Sequence, residues 1–300
     1  MFGMGRRSRQ LESAAVTAFL PVAALVPFWL VALVILWLPL RLVWDIPLWL
    51  LPATWLALGA LLFVRPVQVA VLTPLLGARR PDPRELDIIG PVWTSLANRN
   101  DLRPDDFVVR ILPSDELNAF ACGGHLVVVT SFAVDRLTRP ELAGVLAHEL
   151  SHHLGMHTVA LTLGHWLSLP IVLFARFGFF LQNVARAATD NFAAHSPALT
   201  ALGRLVAGLL TAISWVFLAA LYASDALGNL VGHSSEFEAD RRAVRMGYGR
   251  QLAEALRRVI SLGGGTRTIG WRARLGASHP PARTRVARIE AIMRHPSGIS

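Results

Sequence analysis

The stretch His-Glu-Leu-Ser-His at residues 148–152 contains residue types that bind a metal ion and use it to activate water. It fits the pattern H-E-x-x-H, in which two histidines one helical turn apart lie on the same face of a helix. His148 and His152 can then bind one Zn²⁺, while Glu149 acts as general base. This is the chemistry of peptide-bond hydrolysis. The pattern also arises by chance in roughly one chain in a hundred, so it needs support from the rest of the sequence.

A catalytic zinc site needs a third protein ligand, because such sites keep three protein ligands and one open position. The acidic stretch 235–240 is the candidate, and the capping-box spacing of Ser235 and Glu238 predicts a helix start there. Glu236 and Asp240 would lie one turn apart on this helix. Glu236 can bind the metal, and Asp240 can accept a hydrogen bond from the outer nitrogen of a ligand histidine. Taken alone, the stretch is equally well explained as a solvated acidic helix start.

Three other residues of suitable type can be set aside as metal ligands. His153 follows His152 directly and points about 100° away from it around a helix. The metzincin pattern needs a histidine six residues after His152, where Thr158 stands, so His157 is displaced by one position. Cys122 is the only cysteine, which excludes an internal disulfide and leaves a small buried thiol as its expected role.

The composition is that of a membrane protein. Of the 300 residues, 53% are hydrophobic and only 16% are charged, which is too apolar for an ordinary soluble protein. The net charge of +9 comes from arginine alone, because the chain contains no lysine. Arginines beside hydrophobic stretches follow the positive-inside rule, so we expect a lipid bilayer as partner and no nucleic acid.

Four uncharged segments are long enough to cross a membrane, and they form two hairpins. They are residues 13–40, 46–64, 158–175 and 205–224. We interpret the first as a spanning helix and not as a removed signal peptide, because it has no small-residue cleavage site. The last two, joined by a connection that contains Arg186 and Asp190, are of marginal length, so partial insertion into the bilayer is a second interpretation. For the first hairpin, arginines lie before residues 13–40 and after residues 46–64, and they predict that both ends of this hairpin face the cytoplasm.

Between the two hairpins the sequence predicts a folded domain with a small sheet. Residues 108–112 and the run 125–130 are typical of strands, and Gly123-Gly124 predicts a hairpin turn before the second of them. The capping-box spacing at residues 138–141, with an early proline, predicts a helix start. The helix that begins there carries the H-E-x-x-H pattern in its middle.

We therefore divide the chain into four parts. They are an N-terminal transmembrane hairpin (1–65), the first part of a catalytic domain with its active-site helix (66–157), a second transmembrane hairpin (158–224), and the second part of the catalytic domain (225–300). His152 and Glu236 can share one metal only if the intervening chain crosses the membrane an even number of times, and two spans satisfy this. The expected fold class is α+β, a mainly helical zinc metallopeptidase domain with a small edge-strand sheet, plus four transmembrane helices.

Four motifs in order resemble the HtpX-like membrane zinc metalloproteases, which are gluzincins related to the CAAX prenyl protease. The motifs are Asn118-Ala119-Phe120 before a glycine-containing hairpin, the H-E-x-x-H stretch, the Glu-x-x-x-Asp pattern at 236–240, and Ser278-His279-Pro280-Pro281 with Arg285. The resemblance covers about residues 70 to 290. Ser151 replaces the commoner glycine of the second motif, which a helix tolerates.

The resemblance implies a role for each matching residue. Glu236 would be the third zinc ligand, and His279 and Arg285 would line the active site and stabilise charge on the scissile carbonyl oxygen. The segment Asn118-Ala119-Phe120 would form an edge strand against which an extended polypeptide substrate pairs.

We thus expect an integral membrane zinc metalloendopeptidase that hydrolyses peptide bonds of membrane or misfolded proteins, with one Zn²⁺ per chain and Glu149 as general base for a zinc-activated water. The expected location is the bacterial plasma membrane, multi-pass, with the catalytic domain cytoplasmic, and the sequence is compatible with a homo-oligomer. Two alternatives stay open. One is a non-catalytic zinc-binding membrane sensor or scaffold of the same fold, and the other is a transporter with a chance H-E-x-x-H.

Overall fold

The computed structural model describes residues 18–192, 196–262 and 281–295, and the chain divides into two compact units. The first unit combines Met1–Ala18, Ala60–Thr162 and Asn229–Ser300, and the second combines Phe19–Gly59 and Leu163–Gly228. We call the first the sheet unit, because it holds the three strands, and the second the span unit. The start of the first predicted span, residues 13–17, lies outside the described residues.

The described residues form ten α-helices and three strands, numbered here in chain order. The helices are α1 (Leu20–Val43), α2 (Leu50–Leu61), α3 (Arg65–Leu76), α4 (Pro83–Arg99), α5 (Ser131–Arg136), α6 (Arg139–Leu154), α7 (His157–Phe192), α8 (Pro197–Arg245), α9 (Gly249–Ser261) and α10 (Ala282–Arg294). The strands are β1 (Val108–Leu112), β2 (Ala119–Cys122) and β3 (Leu126–Thr130). The predicted α+β fold, mainly helical with a small sheet, is confirmed.

Three of the described helices are long and apolar enough to cross a membrane, over Leu20–Val43, His157–Asn191 and Pro197–Gly228. A fourth crossing is reached only if α2 and α3 count as one span, and these two helices are bent by 85° at the break between them. The second predicted span is therefore interrupted near its end. Pro66 explains the break, because its ring clashes with the carbonyl four residues earlier and it has no N–H to continue a helix.

The spanning helices α1, α7 and α8 share an apolar core within the span unit. Trp166 of α7 stacks on Trp55 of α2 with ring centroids 4.8 Å apart, and its Nε1–H donates to the Trp55 carbonyl at 2.9 Å. A Cβ added at Gly178 of α7 would lie 2.1 Å from the hydroxyl oxygen of Ser214 in α8. Small residues thus let these two helices approach closely, as is common for helix pairs in membranes.

Two predictions about the long helices are wrong. Arg186 and Asp190 are predicted to lie in a connection, but α7 continues past both of them. The helix start predicted at Ser235 does not exist, because α8 runs through this residue without a break. After Pro197 at its start, α8 contains no proline, so the backbone hydrogen bonds of the spanning helix continue into the polar stretch.

The sheet has the strand order β1-β3-β2, with β1 parallel and β2 antiparallel to β3. β2 and β3 form the predicted hairpin, and Gly123 in its turn has φ +61°, which glycine adopts without strain. Gln68 of α3 is fully buried, and its Oε1 accepts the backbone N–H of His125 at 2.9 Å. The start of α3 therefore holds the end of the hairpin in place.

Helix α6 lies at the centre of the sheet unit, where it packs against α4, α9 and β2. The Thr138 hydroxyl and the Glu141 carboxylate make both hydrogen bonds of the predicted capping box at its start. Its apolar face is fully buried and consists of Leu142, Leu146 and Leu150. Burial of this face fixes the direction in which the rest of the helix points.

Gly144 lies where α6 and α9 touch, since a Cβ there would be 2.4 Å from the backbone nitrogen of Leu252. Gly144→Ala should force the two helices apart, cost roughly 1–3 kcal/mol of stability, and lower the Tm of the purified protein in detergent. Gly90→Ala is the matched control, because Gly90 also lies inside a helix and its Cβ would meet only Leu86 at 3.9 Å. An unchanged Tm for Gly144→Ala would contradict this packing.

Candidate metal centre

The side chains of His148, His152 and Glu236 meet inside the sheet unit. α6 supplies the two histidines and α8 supplies the glutamate, and all three side chains are buried. The Nε2 atoms of the two rings are 3.2 Å apart. Glu236 Oε2 lies 3.3 Å from His148 Nε2, and Oε1 lies 3.1 Å from His152 Nε2. The structure thus brings together the two halves of the predicted metal site, which are far apart in the sequence.

These three groups fit a divalent metal ion in both geometry and charge. Bonds of about 2.0–2.1 Å at tetrahedral angles separate the ligand atoms of a zinc site by about 3.4 Å, close to the distances found here. The cluster buries three carboxylates, of Glu149, Glu236 and Asp240, but only the one guanidinium of Arg285. When all are ionised, two negative charges are left, which a divalent cation would offset. Among the described residues, His148, His152 and Glu236 are the only such group close enough to share an ion.

Asp240 lies behind His148, one helical turn from Glu236. Its Oδ1 accepts the Nδ1–H of His148 at 2.9 Å, which leaves Nε2 for the metal. Arg285 of α10 binds the same carboxylate twice, from Nη2 to Oδ1 at 2.7 Å and from Nε to Oδ2 at 3.0 Å. Its Nη1 lies 3.6 Å from Glu236 Oε2. Arg285 therefore contacts the carboxylates of Asp240 and Glu236, and its action on a substrate carbonyl stays a prediction.

The pKa values of the cluster follow from burial and from its carboxylates. Burial and a nearby guanidinium oppose protonation of His148, but hydrogen bonds to Asp240 and Glu236 outweigh both and raise its pKa to about 9. Burial lowers the pKa of His152 to about 4, although Glu236 opposes this shift. Burial favours the neutral form of Asp240, but its contacts with His148 and Arg285 lower its pKa to about 2. Without metal, His148 is therefore protonated at neutral pH and His152 is not.

Glu149 is held by the edge strand of the sheet. It follows His148 on α6, it is buried, and its Oε2 accepts the backbone N–H of Ala121 in β2 at 3.0 Å. This contact orients the carboxylate from outside the helix that carries it. Sequence reasoning missed Ala121, although the period-two alternation along a strand is a signal that could have found it.

The predicted substrate strand, Asn118-Ala119-Phe120, lies at the edge of the sheet that β2 forms. The carbonyl of Asn118 accepts the N–H of Thr130 at 3.0 Å, so its backbone faces β3. Backbone groups alternate in direction along an antiparallel ladder. The backbone N–H and carbonyl of Phe120 therefore also point toward β3, while those of Ala119 and Ala121 point away from it. The outward-facing backbone groups are therefore those of the two alanines.

The other histidines of interest differ in their surroundings. His153 lies with Nε2 3.1 Å from the carbonyl oxygen of Leu126, to which an Nε2–H can donate. The ring of His157 lies 5.7 Å from that of His152, and the two rings are tilted relative to each other. His279, which the resemblance places in the active site, lies outside the described residues.

Cys122 ends strand β2 and is half-buried. Burial raises the pKa of its thiol to about 11. A thiol with so high a pKa is unreactive at neutral pH, which agrees with a packing role.

The two ends of α6 are contacted by two arginines, and the sequence analysis identified neither of them. Arg258 Nε donates to the Glu141 carboxylate at 2.9 Å in the first turn, and Arg242 Nη1 donates to the Ser151 carbonyl at 3.1 Å near the last. No local pattern marks either contact, because each joins segments that are distant in the sequence.

Known proteins are similar to this chain in sequence. Residues 89–293 match the model of peptidase family M48, and this range contains all three side chains of the candidate metal centre. The "Protease HtpX homolog" of Salinibacter ruber is 32% identical over 193 residues, which are 61% of this chain and 66% of that protein. "Protease HtpX" of Nitrosococcus oceani is 31% identical over 192 residues, which are 61% of this chain and 64% of that protein.

The matched region spans just under two thirds of the length of these two relatives. Among solved structures, the crystal structure of S. mikatae Ste24p is similar at 18% identity and a TM-score of 0.48, over 86% of this chain and 61% of that one. The family match, by contrast, covers well over half of the 300 residues. It confirms the resemblance to HtpX-like proteases drawn from the four motifs, and the chain belongs to peptidase family M48.

Proposed function

We propose that the protein is an integral membrane, zinc-dependent endopeptidase that hydrolyses peptide bonds of membrane or misfolded polypeptides. The proposal rests on one observation. The ligand atoms of His148, His152 and Glu236 lie within 4.8 Å of one another, and these side chains are buried together with that of Glu149. Membership of a peptidase family and two relatives named as proteases support the same reaction. The substrate class rests on the resemblance to HtpX-like proteases.

Zinc suits the donor set of this centre. Two imidazole nitrogens and one carboxylate oxygen are typical ligands of catalytic zinc, whereas Mg²⁺ and Ca²⁺ prefer oxygen ligands alone. His148, His152 and Glu236 would hold one ion per chain. When bound, the ion polarises a carbonyl oxygen and lowers the pKa of a water molecule.

The protein's own groups would carry the proton and orient the site. Glu149 would take a proton from the attacking water and give it to the leaving amine nitrogen. The N–H of Ala121, at 3.0 Å, keeps that carboxylate oriented. Asp240, which accepts the Nδ1–H of His148, would leave Nε2 of this ring to hold the ion. Arg285, together with His279, would stabilise the negative charge that develops on the scissile carbonyl oxygen.

An extended polypeptide would bind along the edge of the sheet that β2 forms. The outward N–H and carbonyl of Ala119 and the carbonyl of Ala121 would pair with the main chain of the substrate, as when a strand is added to a sheet, while the N–H of Ala121 stays on Glu149. Such pairing uses main-chain hydrogen bonds, so it depends little on which side chains the substrate carries. This suits misfolded proteins, which share no common sequence.

The three long apolar helices identify an integral membrane protein. We place it in the bacterial plasma membrane with the sheet unit on the cytoplasmic side. The support is the group of arginines that follows the second apolar segment, in agreement with the positive-inside rule. These are Arg65, Arg79, Arg80 and Arg84.

Glu149→Gln should slow hydrolysis of unfolded casein by the purified protein by about 10²-fold or more in kcat, because the proposed general base is removed. Bound zinc should stay at the wild-type level. Glu236→Gln should instead lose the zinc itself. Casein cleavage and metal analysis measure the two effects, and Glu254→Gln, on the exposed side of α9, is the matched control.

Wild-type protein that binds zinc but cleaves no casein would favour the sensor or scaffold alternative. Wild-type protein that binds no zinc would refute the proposal as a whole.

Zinc binding should release a proton from His148. The pKa of this histidine without metal is about 9, and it must be neutral to bind zinc. Zinc affinity should therefore rise by about tenfold per pH unit below about pH 9 and level off above it. Titration calorimetry in buffers of different ionisation enthalpy counts the released protons. A count of zero at neutral pH would contradict the raised pKa.

Methylation of single amide nitrogens in a peptide substrate tests the strand pairing. Amides of an extended chain face opposite edges in turn, so only alternate ones would donate to β2. N-methylation should lower kcat/KM by about tenfold at every second position, through loss of a hydrogen bond and steric conflict. Losses that do not alternate along the peptide would speak against pairing with this edge.

A further inference from the structure

Arg242 links the helix that carries Glu236 to the helix that carries the two histidines. It lies on α8, and its Nη1 donates to the backbone carbonyl of Ser151 near the end of α6 at 3.1 Å. The side chain is only 14% exposed, and its Nε lies 3.5 Å from the Glu238 carboxylate on its own helix. The guanidinium is therefore held between its own helix and the end of its neighbour.

Gly155 makes room for this contact. A Cβ at this position would lie 2.8 Å from Nη1 of Arg242, too close for the guanidinium to stay where it is. The backbone of Gly155 has φ −90°, which any residue can adopt. A side chain here would therefore displace the guanidinium of Arg242 and would not strain the backbone of residue 155.

We infer that Arg242 is a positioning residue for the metal centre, a role that rests on the proposed zinc site. Ser151 immediately precedes His152, while Arg242 follows Glu236 by less than two helical turns. A metal site tolerates errors of only about 0.5 Å in the placement of its ligands. The bond between Arg242 and Ser151 fixes the distance between α6 and α8 close to the ion without using any ligand group.

The charge of Arg242 suits this position. The last carbonyls of a helix carry a partial negative charge, so a guanidinium bound there is favoured, and a charged donor makes a stronger bond than a neutral one. Asp240 of α8 makes a second link between the two helices, through its hydrogen bond to His148 of α6. Two separate contacts between α6 and α8 limit the angle between the helices as well as their separation.

The experiment compares four variants of the full-length protein in detergent. Arg242→Met removes the guanidinium, Gly155→Ala displaces it without removing a polar group, and the third variant combines both changes. Arg241→Met is the matched control. Arg241 lies on the same helix and binds the same Glu238 carboxylate at 2.9 Å, but it is 45% exposed.

The readouts are zinc affinity by chelator competition, the absorption spectrum of the Co²⁺-substituted protein, and Tm. Arg242→Met and Gly155→Ala should each weaken zinc binding by about tenfold and change the Co²⁺ spectrum. The double variant should bind zinc no more weakly than Arg242→Met alone, because the alanine then has no guanidinium to displace. Arg241→Met should match wild type in affinity and spectrum.

Wild-type zinc affinity and an unchanged Co²⁺ spectrum in both single variants would overturn the inference, whatever happens to Tm. Additive losses in the double variant would overturn it too, because Gly155→Ala would then act by a route other than Arg242. In both cases the proposed function would stand, since wild type would still bind zinc. Failure of wild type to bind zinc would refute the proposed function itself.

Discussion

The buried carboxylate of Asp240 is the contact on which the candidate site depends, because it joins three helices that are distant in the sequence. Its partners are the imidazole of His148 on α6 and the guanidinium of Arg285 on α10. A buried carboxylate without partners would be very costly, so the three groups stabilise one another only when all are in place. This requirement sets the direction of the His148 ring and, through it, where a metal ion can bind.

Helix α6 carries both candidate histidine ligands and Glu149, and neighbouring elements hold this helix in place. Its leucine face is buried in the core, while Arg258 and Arg242 bind groups at its two ends. The edge strand β2 contacts Glu149 through the N–H of Ala121, so the strand proposed to bind substrate also orients the carboxylate proposed as general base. Fold and chemistry are therefore coupled through backbone groups as much as through side chains.

Local patterns predicted the elements that depend on local physics. The turn at Gly123, the capping box at Thr138 and the apolar spans follow from backbone conformation, hydrogen bonding over one turn and segment length. The same holds for the spacing of His148 and His152, because helical periodicity alone places two residues four apart on one face. Local reasoning failed at Ser235, where capping-box spacing occurs inside a helix that was already formed.

The sequence by itself thus determined the chemistry available to this protein: two histidines on one helix face, an acidic pair elsewhere, and a chain that needs a bilayer. Only the tertiary structure decided which groups meet. It paired Arg285 with Asp240 and brought the N–H of Ala121 to Glu149. These contacts join distant segments, and one of them uses a backbone group that every residue except proline possesses. Such groups leave no mark in the sequence, so only packing of the whole chain could select them.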